Sequence, residues 1–573
     1  MKLLSAISLL LLLAPVLQAD DRKPNVLFIA VDDLRPDLGC YGNKIIATPH
    51  IDRLAARGMV FNHAYCQQAV CSPSRSSLMT GKRPDATRVW NLETHFRVAL
   101  PDCVTLPQFF KSHGYHCAAL SKVYHRGFED GRSWSEPHWY PNGTSVDTDP
   151  VDWTVQIKTR HDVNVSEYAA PAAKLEGSKA GKSGKAGPAY EVSAKTDAQL
   201  PDGATALEAV KRLHDLKNKG APFFLAVGFL KPHLPFVAPK KYWDLYDPER
   251  IPVPSFDHLP QGAPDFAGHD NGELHAYPGV PAGNPIPLDF AKKLRHGYYA
   301  AISYTDAQIG LLLDALDREG LAAHTVVVLW GDHGWQLGEH GLWHKHTNFE
   351  AATRAPLIIS APHQKTAGLK CDATVEFVDV YPTLADVCGL PAPGGIDGRS
   401  LKPFLENADA PAVKCAISQY PRSTGKAGVA VMGYSIRDDR WRLTLWRETT
   451  GSKIIARELY DEKNDPDETK NLADNPEHSG VIESLTKNLP PVMTSAAAPK
   501  TKAGPTPAAA DRGTRFDRMD KRVPGKLSRE EFMKRQSDAD EGRKRFEKWD
   551  LNRDGFLSRE EFTVTGAAGG RSE

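Results

Sequence analysis

The sequence predicts an α/β fold with a mostly parallel central sheet flanked by helices. Three continuous apolar runs carry this prediction: Asn25–Val31, Phe223–Phe229 and Thr325–Trp330. Runs of this kind are typical of strands that helices bury on both faces, as in parallel sheets. The segment Thr205–Lys219 has apolar residues at helical spacing (Leu207 among them), which predicts one of the covering helices.

Polar residues follow each of these three strands. Asp32 and Asp33 come after the first strand, His233 after the second, and Asp332 and His333 after the third. Because ligands of α/β sheets bind at the carboxyl ends of the strands, these side chains are candidates for ligand binding. The adjacent carboxylates repel each other unless a cation lies between them.

A shorter apolar run, Cys117–Leu120, predicts a fourth strand, and Lys122 and His125 follow it. Two basic residues three positions apart at a strand end can face the same anion. Such a pair also occurs on ordinary protein surfaces, so it is weak evidence by itself.

The segment Cys71–Arg75 has the pattern C-x-P-x-R. Pro73 suits the first turn of a helix and Gly81 suits its end, so we expect Cys71 just before a helix N-terminus. The unpaired N–H groups and the dipole at such an end favour an anion. A buried, unreactive cysteine is the alternative that these five residues leave open.

Cys71–Arg75 resembles the signature of the sulfatase family, in which the cysteine is oxidised to formylglycine after translation. Gln67–Arg75, Asn25–Tyr41 and Lys231–Phe236 resemble in particular the branch that contains iduronate-2-sulfatase. The resemblance extends from about residue 25 to about residue 472. It implies an alkaline-phosphatase-like α/β domain followed by a smaller C-terminal subdomain with an antiparallel sheet.

The resemblance also implies roles for the site residues. A Ca²⁺ or Mg²⁺ ion would be held by Asp32, Asp33, Asp332, His333 and the formylglycine made from Cys71. Positive charge around the sulfate would come from Arg75, Lys122, His125, His233 and Lys345. His344 and His346 flank Lys345 and are expected to support it or to lie on the surface. Trp335 and Lys426 are the expected contacts to the sugar, although the loop around Lys426 is shorter than in the family pattern.

The implied function is hydrolysis of a sulfate ester on a carbohydrate, with the 2-O-sulfate of a uronic acid as the expected substrate. Within enzymes, the alternatives are a sulfatase for another sulfated polysaccharide and a phosphonate or phosphate ester hydrolase. A different class is a catalytically inactive, calcium-dependent glycan-binding protein in which Cys71 stays a thiol. A formylglycine-generating (sulfatase-maturing) enzyme is the implied partner of the active form.

Residues 1–19 have the pattern of a signal peptide, so we expect an exported protein, periplasmic or secreted, that does not stay in the membrane after cleavage. Acidic and basic residues balance at 71 each, so no overall charge draws the chain to nucleic acid. Among the eight cysteines, Cys103 with Cys117 and Cys371 with Cys388 are pairs that could form disulfides in an oxidising compartment, although sequence alone does not fix the pairing.

The sequence predicts four parts after the signal peptide. The catalytic domain spans 20–408 with a low-complexity insert at about 172–190, the C-terminal subdomain 409–489, a linker 490–512 and an EF-hand pair 513–564. The second EF-hand loop, 550–561, offers Ca²⁺ ligands at Asp550, Asn552, Asp554, Phe556, Ser558 and Glu561. The first loop, 520–531, has Arg522 and Pro524 at ligand positions, so it is expected to pair with the second without binding Ca²⁺ well.

Overall fold

The computed structural model describes residues 22–143, 145–146, 187–411, 415–424, 429–451 and 453–489, and further along the chain 526–529, 532, 546–547, 550 and 556–558. The predicted signal peptide, the linker and most of the low-complexity insert lie outside the described residues. So do Lys426, Asn552, Asp554 and Glu561. The chain divides into two compact units, Met1–Val492 and Met493–Glu573.

The strands and helices are numbered in chain order. The strands are β1 Asn25–Val31, β2 Met59–Tyr65, β3 His116–Ser121, β4 His138–Trp139, β5 Ser145–Val146, β6 Tyr190–Ser193, β7 Phe223–Phe229, β8 Phe236–Pro239, β9 Thr325–Gly331, β10 Leu357–Ser360, β11 Lys370–Glu376, β12 Ala416–Thr424, β13 Val429–Arg437, β14 Trp441–Glu448, β15 Ile454–Asp461, β16 Lys526–Ser528 and β17 Phe556–Ser558. The α-helices are α1 Pro49–Arg57, α2 Cys71–Thr80, α3 Pro84–Thr87, α4 Leu106–Ser112, α5 Pro201–Lys219, α6 Lys240–Trp243, α7 Gly272–His275, α8 Leu288–Arg318, α9 Glu350–Thr353, α10 Val380–Val387, α11 Lys402–Glu406 and α12 Ser479–Asn488. Short 3₁₀ turns occupy Gly39–Tyr41, Phe96–Val98, Gly131–Ser133, Asp197–Gln199, Pro248–Arg250, Asp265–Ala267, Ala322–His324, Glu339–Gly341, Phe377–Asp379 and Pro476–His478.

The central sheet has nine strands in the order β11-β2-β10-β9-β1-β7-β3-β4-β5. The neighbours β11 and β2, β9 and β1, β1 and β7, β7 and β3, and β3 and β4 run parallel. Only β10 and β5 run against their neighbours in this sheet. This arrangement confirms the predicted mostly parallel α/β sheet and shows that the sheet is mixed.

The four predicted core strands are present. β1 and β7 have the predicted bounds, β9 extends one residue further to Gly331, and β3 is one residue longer at each end. Every residue of β7 and β9 is buried, and so is every residue of β1 after Asn25. Continuous apolar runs therefore identified the strands that helices cover on both faces.

The helix predicted at Thr205–Lys219 begins earlier, at Pro201, where proline suits the first turn. Its buried stripe consists mainly of small residues such as Ala206 and Ala209, followed by Leu213 and Leu216. Leu207 was expected in that stripe but is 51% exposed. The small residues allow close packing on the sheet, and they turn the helix so that Leu207 faces away.

A second, antiparallel sheet of four strands has the order β12-β13-β14-β15. Within β14, Leu443 and Leu445 are buried and pack with Leu485 of α12. A hydrogen bond connects β12 to the catalytic domain, since the Gln419 N–H donates to the Gln67 carbonyl at 2.8 Å. This is the expected smaller C-terminal sheet.

In the second unit, β16 and β17 pair antiparallel, with Leu527 opposite Leu557. The two strands lie in the first and second predicted EF-hand loops, respectively. The rings of Phe532 and Phe546 lie 5.6 Å apart.

All eight cysteines are free, so neither pair considered for a disulfide is bridged. Cys117 lies inside β3 and its sulfur instead donates to the Pro107 carbonyl at 3.3 Å. Within the part of the chain that the structure describes, no helix combines the length and the apolar character needed to cross a membrane.

Candidate active site

The carboxyl ends of four neighbouring strands, β9, β1, β7 and β3, lie side by side. The Asp332 N–H donates to the Val31 carbonyl and the Asp32 N–H donates to the Phe229 carbonyl, each at 3.1 Å. These bonds hold the residues after β9 and β1 level with the ends of the neighbouring strands. The polar residues that the sequence places after separate strands are therefore brought into one buried cluster.

Cys71 is the first residue of α2, with Val70 as the extended N-cap residue. It therefore lies one position further into the helix than expected, and Gly81 ends the helix with φ 65° as predicted. Cys71 is 2% exposed, and its Sγ lies 3.4 Å from His333 Nε2 and 3.9 Å from Lys122 Nζ. Burial, together with the charge of Asp32, raises the pKa of the Cys71 thiol well above its ordinary value. The sulfur is thus not activated as a thiolate.

Arg75, one helical turn after Cys71, has a fully buried side chain. Its Nε donates to Asp332 Oδ2 at 2.9 Å and its Nη2 to Asp32 Oδ1 at 3.1 Å. Its Nη1 donates to the carbonyls of Lys122 and Val123. Arg75 therefore ties α2 to the ends of three strands and balances two buried carboxylates.

Lys122 reaches the cluster from the end of β3, and its Nζ contacts Asp32 Oδ2. Ser121, just before it, has φ 59°, a left-handed conformation that is uncommon for a residue other than glycine and frequent at functional sites. On the neighbouring strand, a Cβ at Gly228 would lie 2.1 Å from the Lys122 carbonyl. Only glycine at position 228 allows this close approach of the two backbones.

His125 lies near the same cluster, and its Nδ1 is buried without a hydrogen-bond partner among the described residues. Burial and then the positive charge of Lys122 lower the pKa of His125 well below its ordinary value. The ring is therefore neutral at neutral pH and can accept a proton.

Lys345 and His233 approach the cluster from its other side. Lys345 Nζ lies 3.2 Å from both carboxylate oxygens of Asp33, and His233 Nε2 lies 3.8 Å from Asp33 Oδ2. His233 Nδ1 donates to the Leu234 carbonyl at 2.6 Å, which leaves Nε2 directed toward the acidic groups. All of the basic residues expected around a sulfate, with Arg75 and Lys122, thus lie within one region.

Glu273, in the short helix α7, is a site residue that the sequence reasoning missed. Its Oε1 lies 3.1 Å from Lys345 Nζ and 3.5 Å from His233 Nε2. No strand precedes Glu273 and no motif surrounds it, so the rule based on strand ends could not select it. Asp202 was missed for the same reason; it accepts the N–H groups of Leu230 and Lys231, both at 2.8 Å, and so holds the segment that carries His233.

The donor set fits a hard cation. One ligand atom each of Asp32, Cys71, Asp332 and His333 lies within 4.8 Å of the others, and Asp33 joins an overlapping group. Burial and the neighbouring carboxylates raise the pKa of Asp33 well above its usual range, a cost that a bound cation would relieve. His333 Nδ1 donates to the Gly334 carbonyl at 2.9 Å, so its Nε2 has a lone pair to offer. Carboxylate-rich sites of this kind suit Ca²⁺ or Mg²⁺.

Trp335 is 1% exposed, and Lys345 Nζ lies 4.8 Å from its ring centroid. The ring is therefore a wall behind Lys345 and not an open platform for a sugar. His344 is 2% exposed, which excludes the surface position that was one of its two expected locations. Lys426 lies outside the described residues.

A ring of buried cations around carboxylates at the strand ends of an α/β sheet is the arrangement of an enzyme that binds an anionic ester. The family model described as Sulfatase matches residues 24–390, and the model described as N-sulphoglucosamine sulphohydrolase, C-terminal, matches residues 338–495. The chain belongs to the sulfatase family and is a sulfatase, an enzyme that hydrolyses sulfate esters.

Individual relatives agree with this assignment. The chain is 34% identical to the iduronate 2-sulfatase of Mus musculus over 534 residues, which cover 80% of this chain and 93% of the relative. Among solved structures, a protein in complex with its substrate D-glucosamine-2-N,6-O-disulfate matches with a TM-score of 0.60 and 22% identity, covering 81% of this chain and 96% of that one. The phosphonate monoester hydrolase of Agrobacterium radiobacter matches with a TM-score of 0.61 and 22% identity, covering 81% and 94%. The two solved structures support the fold alone.

Proposed function

We propose that this sulfatase acts through a formylglycine made from Cys71 and that it removes sulfate from a carbohydrate. The observation that carries the proposal is the convergence on Cys71 of groups from separate strand ends, with His333 Nε2 at 3.4 Å and Lys122 Nζ at 3.9 Å from its sulfur. The raised pKa of the thiol argues against direct attack by a thiolate. A hydrated aldehyde at this position would supply the nucleophile that the thiol cannot.

We assign the surrounding residues separate roles in the reaction. One hydroxyl of the hydrate at residue 71 attacks sulfur and displaces the sugar oxygen. Deprotonation of the second hydroxyl then expels the sulfate and restores the aldehyde. The covalent intermediate thus replaces one difficult step with two easier ones. Asp332 is the proposed acceptor of the first proton, and neutral His125 is the proposed acceptor of the second. Arg75, Lys122 and Lys345 stabilise the negative charge that develops on the sulfate oxygens.

For protonation of the leaving sugar oxygen we assign His233 over Lys345. Burial opposes the charge of Lys345, but Asp33 and Glu273 raise its pKa well above its ordinary value, so its ammonium keeps its proton. Burial and then the positive charge of Lys345 lower the pKa of His233 well below its ordinary value. His233 has its Nε2 directed toward the site, and the negative charge of a bound sulfate would oppose this lowering and favour the protonated form. Lys345 remains a sulfate-binding group.

A divalent cation held by Asp32, Asp33, Asp332 and His333 would polarise the nucleophile and screen the carboxylates from the sulfate. Their burial and their mutual proximity support this assignment. Ca²⁺ and Mg²⁺ are the two ions that the donor set suits.

Mass spectrometry of the peptide that contains residue 71 tests the proposal directly. The protein is produced with a sulfatase-maturing enzyme, and the expected result is an aldehyde at residue 71 together with sulfate release from a sulfated sugar. An unmodified thiol in a preparation that hydrolyses sulfate esters would contradict the mechanism. An unmodified thiol in an inactive, glycan-binding preparation would favour the binding-protein alternative.

The substrate class that we propose is the 2-O-sulfate of a uronic acid, supported by the 34% identity to an iduronate 2-sulfatase. Such a substrate carries a carboxylate beside the sulfate ester and needs a basic group to bind it. Lys426 is the residue that we propose for this contact, while Trp335 acts by holding Lys345. Loss of one charge-assisted contact costs on the order of 1.5–3 kcal/mol.

Lys426→Ala therefore lowers kcat/KM by about 10- to 100-fold on a 2-O-sulfated uronate and leaves an uncharged aryl sulfate nearly unaffected. Lys402→Ala is a suitable control, because Lys402 Nζ pairs with Asp386 at 3.0 Å away from the site. Equal losses on both substrates would mean that Lys426 does not bind the carboxylate. Desulfation of neutral sugars without activity on any 2-O-sulfated uronate would overturn the substrate assignment and favour another sulfated polysaccharide.

We also propose that residues 513–564 form an EF-hand pair in which only the second loop binds Ca²⁺. The antiparallel pairing of Leu527 with Leu557 supports this, because both occupy position 8 of their twelve-residue loops. Export, with removal of residues 1–19, and the linker at 490–512 complete the proposed organisation.

A further inference from the structure

A second group of metal-ligating side chains lies beside the proposed sulfate site. One ligand atom each of Glu273, His344 and His346 lies within 4.8 Å of the other two. None of these three residues belongs to the acidic cluster around Asp32. Two imidazoles and one carboxylate also differ in chemistry from that cluster, which consists mainly of carboxylates.

No hydrogen bond among the described residues accounts for the buried ring of His344. It is 2% exposed, and neither ring nitrogen has a hydrogen-bond partner within the described part of the chain. Oε2 of Glu273 is likewise buried without a partner among those residues, although Oε1 contacts Lys345. Buried polar atoms without partners are costly, so they indicate a ligand that completes the site.

The positions of the two histidines are fixed by their neighbours. The ring of His269 stacks on that of His344, with centroids 3.6 Å apart and planes 11° apart. His269 accepts the Asn271 N–H at Nδ1, so its Nε2 carries the proton that it donates to the Lys345 carbonyl. His269 therefore has both nitrogens occupied and acts as a wall that holds the plane of His344.

The backbone of His346 is held on both sides. Its N–H donates to the Ala69 carbonyl at 3.2 Å, and its own carbonyl accepts from Arg422. The rings of His346 and His344 have centroids 4.6 Å apart. Both imidazoles are thus presented at one place before any ligand arrives, which lowers the cost of binding one.

We propose that Glu273, His344 and His346 bind a divalent transition metal of the Zn²⁺ class, separately from the hard cation of the acidic cluster. Two imidazole nitrogens with one carboxylate oxygen suit Zn²⁺, whereas Ca²⁺ and Mg²⁺ prefer sites in which most ligands are oxygen atoms. Ligand atoms lie about 2.0–2.2 Å from a bound zinc, so the three groups close inward on binding. Three protein ligands leave a fourth position for water or an anion.

The test is a Zn²⁺ titration of the full-length protein by calorimetry, in buffer with saturating Ca²⁺ to fill hard-cation sites. The wild type binds one Zn²⁺ that Ca²⁺ does not displace, and Co²⁺ at the same site gives the visible absorption of an imidazole-bound ion. His344→Ala and His346→Ala each weaken Zn²⁺ binding on the order of 100-fold or more. Asp332→Asn keeps the Zn²⁺ site, because Asp332 belongs to the other cluster.

His275→Ala is the matched control, since His275 lies in the same short helix as Glu273 and is no part of the site. It binds Zn²⁺ like the wild type. Because His344 is buried and its replacement can disturb folding, Glu273→Gln, which keeps the shape of the side chain, provides a further variant and also loses Zn²⁺. No Zn²⁺ binding by the wild type, or wild-type binding by folded His346→Ala and Glu273→Gln proteins, overturns the proposal.

Discussion

The two sides of the active site are built in different ways. Around Cys71, the groups come from strand ends and from the first turns of α2, and Arg75, Asp32 and Asp332 have fully buried side chains that pair with one another. Around Lys345, the groups come from loops and from a four-residue helix, and His344 and Glu273 keep buried polar atoms without partners among the described residues. On the first side, the buried Arg75 pairs with two carboxylates, whereas on the second side buried polar atoms remain for a ligand to contact.

The largest expected effect comes from removing the nucleophile on the first side. Cys71→Ala lowers sulfate release on the order of 10⁴- to 10⁶-fold, because alanine cannot be converted to the aldehyde. The side chain is small, so the fold and its unfolding temperature change little. Sulfate release and circular dichroism on the same preparation check both expectations.

Cys66→Ala is the matched control for that variant. Cys66 is also fully buried, lies five residues upstream, and uses only its backbone for hydrogen bonds to Thr353 and Ser418. The control keeps near wild-type activity. If Cys71→Ala releases sulfate at a similar rate to Cys66→Ala, residue 71 is not the nucleophile.

A smaller effect is expected from Asp332→Asn. Asp332 accepts from Arg75 Nε at 2.9 Å and from the N–H groups of Asp33 and His333 at 3.0 and 3.1 Å. An amide there removes one carboxylate charge and turns an N–H₂ group toward a donor, so bound metal is lost and kcat/KM falls on the order of 10²- to 10³-fold. Metal analysis of the purified variant measures the first effect and sulfate release the second.

Asp306→Asn separates this loss from a general loss of stability. Asp306 is a buried carboxylate that accepts the N–H groups of His50 and Ile51 at the start of α1, away from the cluster. Its replacement lowers the unfolding temperature but leaves bound metal unchanged. Equal metal content in Asp332→Asn and the wild type would remove Asp332 from the proposed ligand set.

The same contrast explains what the sequence could predict. Asp32 could be selected because a continuous apolar run predicts a buried parallel strand, and ligands bind at the carboxyl end of such a strand. Asp332 also follows a predicted buried strand, but its role as a metal ligand came from the resemblance to the sulfatase family. Glu273 could not be selected, because it lies in a four-residue helix that follows no predicted strand, and no local sequence pattern indicates that it reaches the site. Leu207 shows a further limit: helical spacing identified the helix, but packing of small residues on the sheet decided which face is buried.

A third prediction concerns His138, which supports the strand end that carries Lys122. Its Nε2 donates to the Ser121 carbonyl at 2.6 Å, and burial lowers its pKa from 6.5 to about 4. Between these two pH values the unfolded chain binds the proton and the folded protein does not, so stability falls as the pH drops from 6.5 toward 4. The contribution of this one group reaches at most about 3 kcal/mol.

His138→Gln, whose amide can still donate to the Ser121 carbonyl, removes that contribution. Urea unfolding of the variant and the wild type at several pH values between 4 and 7 measures it. The variant is expected to lose less stability on acidification than the wild type. Parallel pH profiles of the two proteins would show that His138 is protonated in the folded state as easily as in the unfolded one.

The smallest expected effect on catalysis comes from the C-terminal unit. Every residue that we assign to catalysis or to the active-site metal lies between Asp32 and Lys345, so a chain that ends at residue 489 keeps kcat/KM within about twofold of the full-length value.

The C-terminal unit is expected to bind calcium. Glu561→Gln removes the bidentate ligand at position 12 of the second loop and abolishes one Ca²⁺ site in the full-length protein. Glu531→Gln, at position 12 of the first loop, is expected to leave the calcium stoichiometry unchanged, because Arg522 and Pro524 stand at ligand positions and that loop is expected to bind Ca²⁺ poorly or not at all. Loss of a Ca²⁺ in Glu531→Gln would show that both loops bind, and a large loss of kcat/KM on truncation would show that the C-terminal unit contributes to turnover.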